Sequence, residues 1–205
     1  MRAYTLYQSV SAARLTRRLE MTEKTKEQTE YEKLQEIGRR AMESIAEMVD
    51  ALECDYDRKE ALETELEDAC TGQSEHNVWG NEWLEATAND DQHTMQEAAQ
   101  ELIELRKAAG ECESREDAEQ RIQEDPLSLE FRSGWSTSRE DLQPEEFKLL
   151  LGTGGPAVQI VGEINDGEPC NVRLQAQDWF TPWTDYRDQD EETLLTYCRC
   201  FYFGD

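Results

Sequence analysis

The chain has 205 residues, and its 21 Lys and Arg against 47 Asp and Glu give a formal net charge of -26 at neutral pH. This excess argues against direct binding to DNA or RNA, because nucleic-acid binders need clustered cations to release phosphate counterions. It disfavours anionic membranes for the same reason, and no run approaches the roughly 18 apolar residues that span a bilayer. The charge favours attraction to basic surfaces.

The charge is unevenly distributed along the chain. Residues 1–20 contain four Arg and one acidic residue, whereas residues 21–126 contain 11 Lys and Arg and 31 Asp and Glu. The basic start has the composition of a transit peptide, but a disordered leader is the commoner explanation, with Met21 as an alternative start. We therefore expect a disordered leader (1–20), an acidic helical arm (21–125) and a small α+β domain (126–205).

Two apolar runs with helical spacing predict the arm. The first comprises Leu34, Ile37, Ala41, Ile45, Met48 and Leu52, continued by Leu62, Leu66 and Ala69. The second comprises Met95, Ala98, Leu102, Leu105 and Ala109, and ends at Gly110. Because each stripe is too narrow to be stable alone, we expect a coiled-coil-like antiparallel hairpin. Trp79 and Trp83 in the linker are expected to attach the end of the hairpin to an apolar surface.

A short third helix and a sheet are predicted next. Ser114 is a candidate N-cap, and Asp125-Pro126 ends the helix because a residue before Pro leaves the helical region. Four strands follow, within 127–131, 147–151, 157–164 and 172–176, with a hairpin turn at 165–167 and a covering helix that begins at Asp190. The fold class is therefore α+β, a helical hairpin joined to a small antiparallel sheet with a covering helix.

Several segments resemble an uncharacterised family of small acidic proteins from bacteriophages, prophages and plasmids of proteobacteria. These segments are residues 51–58, 112–118, 125–128, 151–158, 177–184 and 194–204. The resemblance covers most of residues 40–205 and implies a mobile-element protein in a bacterial cytoplasm. It implies no catalytic residue, and the segment 1–20 lies outside it.

The cysteines and histidines do not form a recognisable metal motif. The closest pair of the six Cys is Cys198-x-Cys200. One residue separates these two, whereas two to four residues separate the paired ligands of zinc sites. His76 and His93 stand in a polar linker. We therefore expect structural thiols, with no metal and no cofactor. The glycine-rich run 152–156 lacks the Lys and Ser/Thr of a phosphate-binding loop, and a tight turn between strands explains it better.

An aromatic-acidic cluster lies near the C-terminus. It comprises Asp178, Trp179, Trp183, Asp185 and Tyr186. We expect its aromatic residues to pack under the last helix first, and to bind a partner second, because Trp and Tyr dominate interface hot spots. Catalysis by paired carboxylates beside aromatic rings is a distant third interpretation, since no spacing of two carboxylates is defined. We therefore expect a protein that is not an enzyme.

The acidic helices are the main candidate for function. A solvated surface is the usual explanation of such charge, but phages and plasmids also encode small acidic proteins that occupy the basic nucleic-acid channels of host defence systems. The sequence thus suggests an anti-CRISPR or antirestriction inhibitor that mimics nucleic acid and binds the basic surface of a defence complex. The carboxylates expected on outward helix faces are Glu60, Glu63, Glu67, Glu97, Glu101 and Glu104. The alternative is a structural or regulatory accessory protein that dimerises through the helical seam, with acidity only for solubility.

Overall fold

The structure is a computed structural model that describes residues 2–70, 93–135 and 143–203, with side chains from residue 25 onward except those of 68–70 and 93–94. The proposed attachment through Trp79 and Trp83 lies outside the described residues. In the described ranges the chain forms five helices and a five-stranded antiparallel sheet, which confirms the α+β class. The helices are α1 Arg2–Glu53, α2 Tyr56–Cys70, α3 His93–Ala109, α4 Arg115–Glu124 and α5 Glu191–Cys198. The strands are β1 Ser128–Ser133, β2 Pro144–Gly152, β3 Ala157–Asn165, β4 Glu168–Gln177 and β5 Thr184–Asp185.

Helix α1 begins in the segment that we expected to be a disordered leader. Its backbone is helical from Arg2 through Glu53 without a break. Residues 2–37 contain neither Pro nor Gly, the two residues that most strongly disfavour a helix interior. The composition of this segment therefore permits a helix even though its charge differs from that of the arm.

The first apolar run is divided between two helices. The turn at Cys54 and Asp55 separates α1 from α2, and the Asp55 carboxylate accepts a hydrogen bond from the Arg58 N–H at 2.9 Å. This bond satisfies one of the amide groups that the first turn of a helix leaves unpaired. The polar stretch from Asp55 to Lys59 is therefore a helix start and not the exposed side of one continuous helix.

Of the helices expected in the antiparallel hairpin, α2 and α3 pack against each other in a small core of their own. Leu62, Leu66, Ala99 and Leu102 are fully buried against one another, flanked by Ala98, Ile103 and Leu105. The part of the first run that joins the main core, Ala41, Ile45, Met48 and Leu52 of α1, packs in the core shared with α4, α5 and the sheet. A periodic stripe predicts that a helix has a buried face, but it does not say which element covers it.

The C-terminal sheet is a simple antiparallel meander in the order β1-β2-β3-β4-β5. Asp166 and Gly167 have positive φ angles of 51° and 80°, as expected for the predicted turn between β3 and β4. Ser114 and Asp190 cap α4 and α5 as predicted, since each side chain accepts a backbone N–H of the first helical turn. The two-residue strand β5 was not predicted.

One hydrophobic core joins the sheet to α1, α4 and α5. It comprises Met42, Ile45, Met48, Val49 and Leu52 of α1, Ala118 and Ile122 of α4, Phe147, Leu149, Ile160, Val172 and Leu174 of the sheet, and Leu194, Tyr197 and Cys198 of α5. The core thus includes residues from both sides of the expected boundary at 125/126. The sheet is covered by α1 as well as by the expected C-terminal helix α5.

Helix α1 approaches the sheet most closely at Gly38. A Cβ atom on Gly38 would lie 2.8 Å from Cβ, Cγ and Cδ2 of Tyr186, just after β5. The Gln35 side chain fastens the same contact, because its amide donates to the Asp185 carbonyl at 3.1 Å and accepts the Arg187 N–H at 3.0 Å. The absence of a side chain at Gly38 therefore lets α1 lie on the end of the sheet.

The substitution Gly38→Ala should destabilise the protein, although alanine favours helices. The new Cβ would displace the root of the Tyr186 side chain, which cannot rotate away, and such overpacking costs about 1–3 kcal/mol. Urea denaturation would measure the loss. Ser44→Ala, at an exposed position of the same helix, should leave the free energy of unfolding unchanged or slightly raised. A Gly38→Ala protein as stable as the wild type would contradict the close contact.

Tyr197 makes a second long-range link within the core. It is fully buried, and its hydroxyl donates to Asp125 Oδ2 at 2.6 Å, which joins α5 to the end of α4. Burial, and then the bond to the Asp125 carboxylate, raise the pKa of Tyr197 well above its usual range. The folded protein therefore favours the protonated hydroxyl.

Tyr197→Phe should lower the free energy of unfolding by about 1.5–3 kcal/mol, the range for a hydrogen bond to a charged group. Because the folded pKa is raised, wild-type stability should also fall as the pH rises above about 10, the unfolded value for tyrosine. Asp125→Asn keeps an acceptor and should cost less than Tyr197→Phe. Denaturation curves at pH 7 and at pH 10.5 test both statements; equal losses in the two variants would count against a bond of this strength.

Candidate partner-binding surfaces

The predicted carboxylates of α2 and α3 fall into two groups. The first and last of the three carboxylates on each helix are exposed, namely Glu60 and Glu67 on α2 and Glu97 and Glu104 on α3. The middle carboxylate on each helix is partly buried and forms an ion pair with the other helix. These pairs are Glu63 with Arg106 and Glu101 with Arg58. Glu63 and Glu101 therefore have partners within the protein, although their side chains remain 36% and 44% exposed.

The ion pair between Arg58 and Glu101 has two parallel hydrogen bonds. Arg58 Nε donates to Glu101 Oε1 at 2.8 Å, and Arg58 Nη2 donates to Oε2 at 2.6 Å. This bond to the guanidinium lowers the pKa of Glu101. Arg106 donates to Glu63 Oε1 through Nε and Nη2 at 3.0 and 2.9 Å. A bidentate pair such as that of Arg58 with Glu101 fixes geometry more than it adds stability at a partly exposed site.

A further acidic row on α1 was missed by the sequence reasoning. Glu47, Asp50 and Glu53 are exposed at a spacing of three residues, between the buried Met48, Val49, Ala51 and Leu52. The signal was present in the sequence, because acids that interleave with a buried stripe at helical spacing share the opposite face. With a rise of about 1.5 Å per residue, the row carries one charge per roughly 4.5 Å.

The aromatic-acidic cluster divides between core and surface. Tyr186 is buried in the core and Trp183 is half-buried, whereas Trp179 is 65% exposed and the neighbouring Phe180 is fully exposed. The expectation that Trp179 packs under the last helix is therefore incorrect. Phe180, which the sequence reasoning did not single out, belongs to the exposed surface.

A tight turn presents Trp179 and Phe180 to solvent. The Thr181 hydroxyl accepts the Asp178 N–H at 2.9 Å, and the Thr181 N–H donates to the Asp178 carbonyl at 3.1 Å. Phe180 has a φ of 65°, a left-handed conformation that is strained for a bulky residue. An exposed aromatic side chain in a strained turn does not contribute to the hydrophobic core. The turn is therefore a candidate contact surface.

The Trp179 indole lies directly on Gly155 in the loop between β2 and β3. A Cβ atom on Gly155 would overlap Nε1, Cδ1 and Cε2 of the ring. The glycine-rich run is thus a connection between strands, as predicted, and it also provides the surface on which the indole rests. This contact positions the ring, while Trp179 as a whole stays largely exposed.

The two carboxylates of the cluster serve local structure. Asp178 Oδ1 accepts the Trp179 N–H at 2.8 Å and helps to form the turn. Asp185 Oδ1 accepts the Gln175 side-chain amide at 2.7 Å, and Asp185 Oδ2 lies 3.7 Å from Arg173 Nη1. Both groups therefore have structural partners in the described part of the chain.

The outer face of the sheet forms an open groove of about 940 Å³. Its three cations are each paired with a carboxylate: Arg132 with Glu146, Lys148 with Glu130, and Arg173 with Asp185. The groove therefore shows no concentration of positive charge that would hold an anionic cofactor. Among the described residues, no group of three or more His, Cys, Asp and Glu side chains could hold a metal ion.

The five cysteines with described side chains are free thiols. Burial raises the pKa of Cys198 well above its usual range and that of Cys200 to about 11. Cys54, near the start of α2, has a raised pKa for the same reason. These thiols are protonated near neutral pH, so their placement is that of small core residues and not of nucleophiles.

Comparison with known proteins finds no family model, no curated protein and no solved structure that matches the chain. The resemblance to small acidic phage and plasmid proteins therefore stays a prediction. Of the helices with described residues, none is both long enough and apolar enough to cross a membrane.

The thiols of Cys198 and Cys200 should react slowly with a thiol reagent at pH 8. This pH lies well below the raised pKa of Cys200, and the thiolate is the reactive form. Site-resolved alkylation followed by mass spectrometry would measure each rate, and the same chain in concentrated urea provides the control. We expect labelling to be at least about tenfold slower in the folded protein; equal rates would contradict the burial of both groups.

Proposed function

We propose that the chain is a non-enzymatic inhibitor of a bacterial defence system, of the anti-CRISPR or antirestriction type, that acts in the cytoplasm of the host. Its exposed carboxylates would bind the basic nucleic-acid-binding surface of a defence complex. The observation that carries the proposal is the exposure of acidic rows on α1, α2 and α3. These rows comprise Glu47, Asp50 and Glu53, Glu60 and Glu67, and Glu97 and Glu104.

The charge density of these rows supports mimicry of a phosphate backbone. One charge per roughly 4.5 Å on α1 compares with about 3.4 Å between phosphates along one strand of DNA. A Lys- or Arg-lined channel would attract such rows over long range, which accelerates association at low salt. A surface that served only solubility would need no such alignment.

The ion pairs between α2 and α3 support the proposal in a second way. They hold the two helices in one orientation, so that Glu60 and Glu67 keep a defined position relative to Glu97 and Glu104. A partner that binds a pre-organised surface loses less conformational entropy on association. The role of Glu63 and Glu101 in the proposal is therefore to position the exposed carboxylates and not to contact the partner.

The turn at Trp179 and Phe180 would supply the apolar part of the contact with a partner. Exposed aromatic residues in a pre-formed position are typical of interface hot spots. Trp183 is half-buried and Tyr186 lies in the core, so both would support the turn, as would Asp178 and Asp185.

The proposal predicts that neutralising the acidic rows abolishes inhibition. The quadruple variant Glu60→Gln, Glu67→Gln, Glu97→Gln and Glu104→Gln should restore defence in cells that carry a restriction or CRISPR system. Plasmid establishment or phage plating would measure the change. For the purified defence complex that is inhibited, the slope of log affinity against log salt should decrease by up to about one per lost contact, by analogy with phosphates.

A matched control removes the same number of charges elsewhere. Glu145, Glu168, Glu191 and Glu192 are exposed in the C-terminal part, and their exchange for Gln should leave inhibition intact. If the wild-type chain protects plasmids or phages in no strain with a restriction or CRISPR system, the proposal is wrong. Equal losses in both quadruple variants would assign the effect to net charge and not to the helical surface.

A further inference from the structure

The two edges of the sheet differ in how they are covered. At the β4 edge, the Gln189 side chain accepts the Leu174 N–H at 2.9 Å, the Tyr186 N–H donates to the Leu174 carbonyl at 2.9 Å, and β5 pairs with Gln175 and Ala176. At the other edge, β1 pairs only with β2, and within the described residues no further strand or side chain bonds to its backbone. An open edge is a template for another strand.

Strand β1 has few of the features that usually block such an edge, since its register irregularity lies only near its end, between Arg132 and Ser133. It contains no Pro, and its Phe131 is 49% exposed, while Leu127 just before the strand and Trp135 shortly after it are 59% and 107% exposed. Proteins commonly protect an edge with Pro or inward-pointing charges. Here the charged side chains Glu130 and Arg132 pair with Lys148 and Glu146 on the outer face of the sheet, which leaves the apolar side chains accessible.

We propose that β1 pairs antiparallel with β1 of a second copy of the chain, centred on Phe131, to form a continuous ten-stranded sheet. In this arrangement Glu130 lies opposite Arg132 of the second copy, and Arg132 lies opposite its Glu130. The two Phe131 rings become neighbours at the centre. Beyond the strand ends, Leu127 comes next to Trp135 of the second copy. The segment 127–135 is thus complementary to itself in both charge and apolarity.

The charges select this register over its neighbours. In an edge strand, only every second residue directs its N–H and C=O groups away from the sheet. When two copies of β1 pair, the partner of a given residue can therefore change only in steps of two residues. Each such step moves the centre of the pairing by one residue. Moving it so that the centre falls on Glu130 sets two Glu130 carboxylates opposite each other, and a centre on Arg132 does the same with two guanidinium groups. Like charges directly opposite are destabilising.

The same register extends the ion pairs that each copy already makes. Lys148 lies opposite Glu130 and Glu146 lies opposite Arg132 in the antiparallel pairing of β1 with β2. Across the proposed interface the order becomes Lys148, Glu130, Arg132 of the second copy and Glu146 of the second copy, with alternating sign throughout. A second copy of this chain is the occupant that this row of charges fits, and the acidic helices take no part in it.

The oligomeric state of the full chain tests the proposal. Sedimentation equilibrium over a wide range of concentrations should show a dimer in reversible exchange with the monomer. Glu130→Arg alone, and Arg132→Glu alone, place like charges opposite each other twice per dimer and should raise the dissociation constant at least about tenfold. The double exchange, Glu130→Arg with Arg132→Glu, should restore the dimer.

The double exchange separates the interface from effects inside one copy. It again sets opposite charges across the dimer, but it keeps like charges against Lys148 and Glu146 within each copy. Glu168→Arg, an exposed substitution on β4, is the matched control and should leave the dimer unchanged. If Glu130→Arg lowers the unfolding midpoint, the milder Glu130→Gln should still weaken the dimer.

A chain that stays monomeric at all concentrations overturns the proposal. A dimer that both single exchanges leave intact also overturns it, because such a dimer uses another surface, for example the helical seam. Failure of the double exchange to restore association would refute the register centred on Phe131. None of these results depends on inhibition of a defence system, so this proposal and the proposed function can fail separately.

Discussion

Burial of one face of α1 is the constraint on which the rest of the structure depends. Its apolar residues contact the sheet, α4 and α5 in a single core, and burying each such side chain stabilises the fold by about 1.5–3 kcal/mol. Because the sheet is an antiparallel meander, no described helix crosses between its neighbouring strands, and α1 supplies the cover together with α5. Gly38 sets how closely that cover can approach, since Tyr186 occupies the space of its missing side chain.

The placement of α1 decides which carboxylates are accessible. With Met48 and Leu52 buried in the shared core, Glu47, Asp50 and Glu53 are left facing solvent. The small cluster of α2 and α3 then has to fix its own geometry, and its two cross-helix ion pairs supply that. The carboxylates of this protein therefore fall into two groups. Some orient the helices, and others remain exposed on the surface.

Local features were predictable from the sequence because their causes are local. Ser114 and Asp190 were identified as caps, and the turn at 165–167 followed from residues that tolerate positive φ. The exposure of Trp179 was not predictable, because it depends on a turn closed by Thr181 and on contact with Gly155, over 20 residues away. The acidic row on α1 could have been found, since it follows from the same periodicity as the buried stripe.

The sequence by itself determined the charge, the α+β class and the helical and strand periods, since these depend on composition and on neighbours within one or two turns. Only the tertiary structure decided that α1 packs on the sheet, and that Glu63 and Glu101 join α2 to α3. It alone left β1 without a further partner among the described residues, while Gln189 covers the opposite edge. The physical reason is that a period specifies which side of an element is apolar or charged, whereas its partner is set by long-range packing that no single segment encodes.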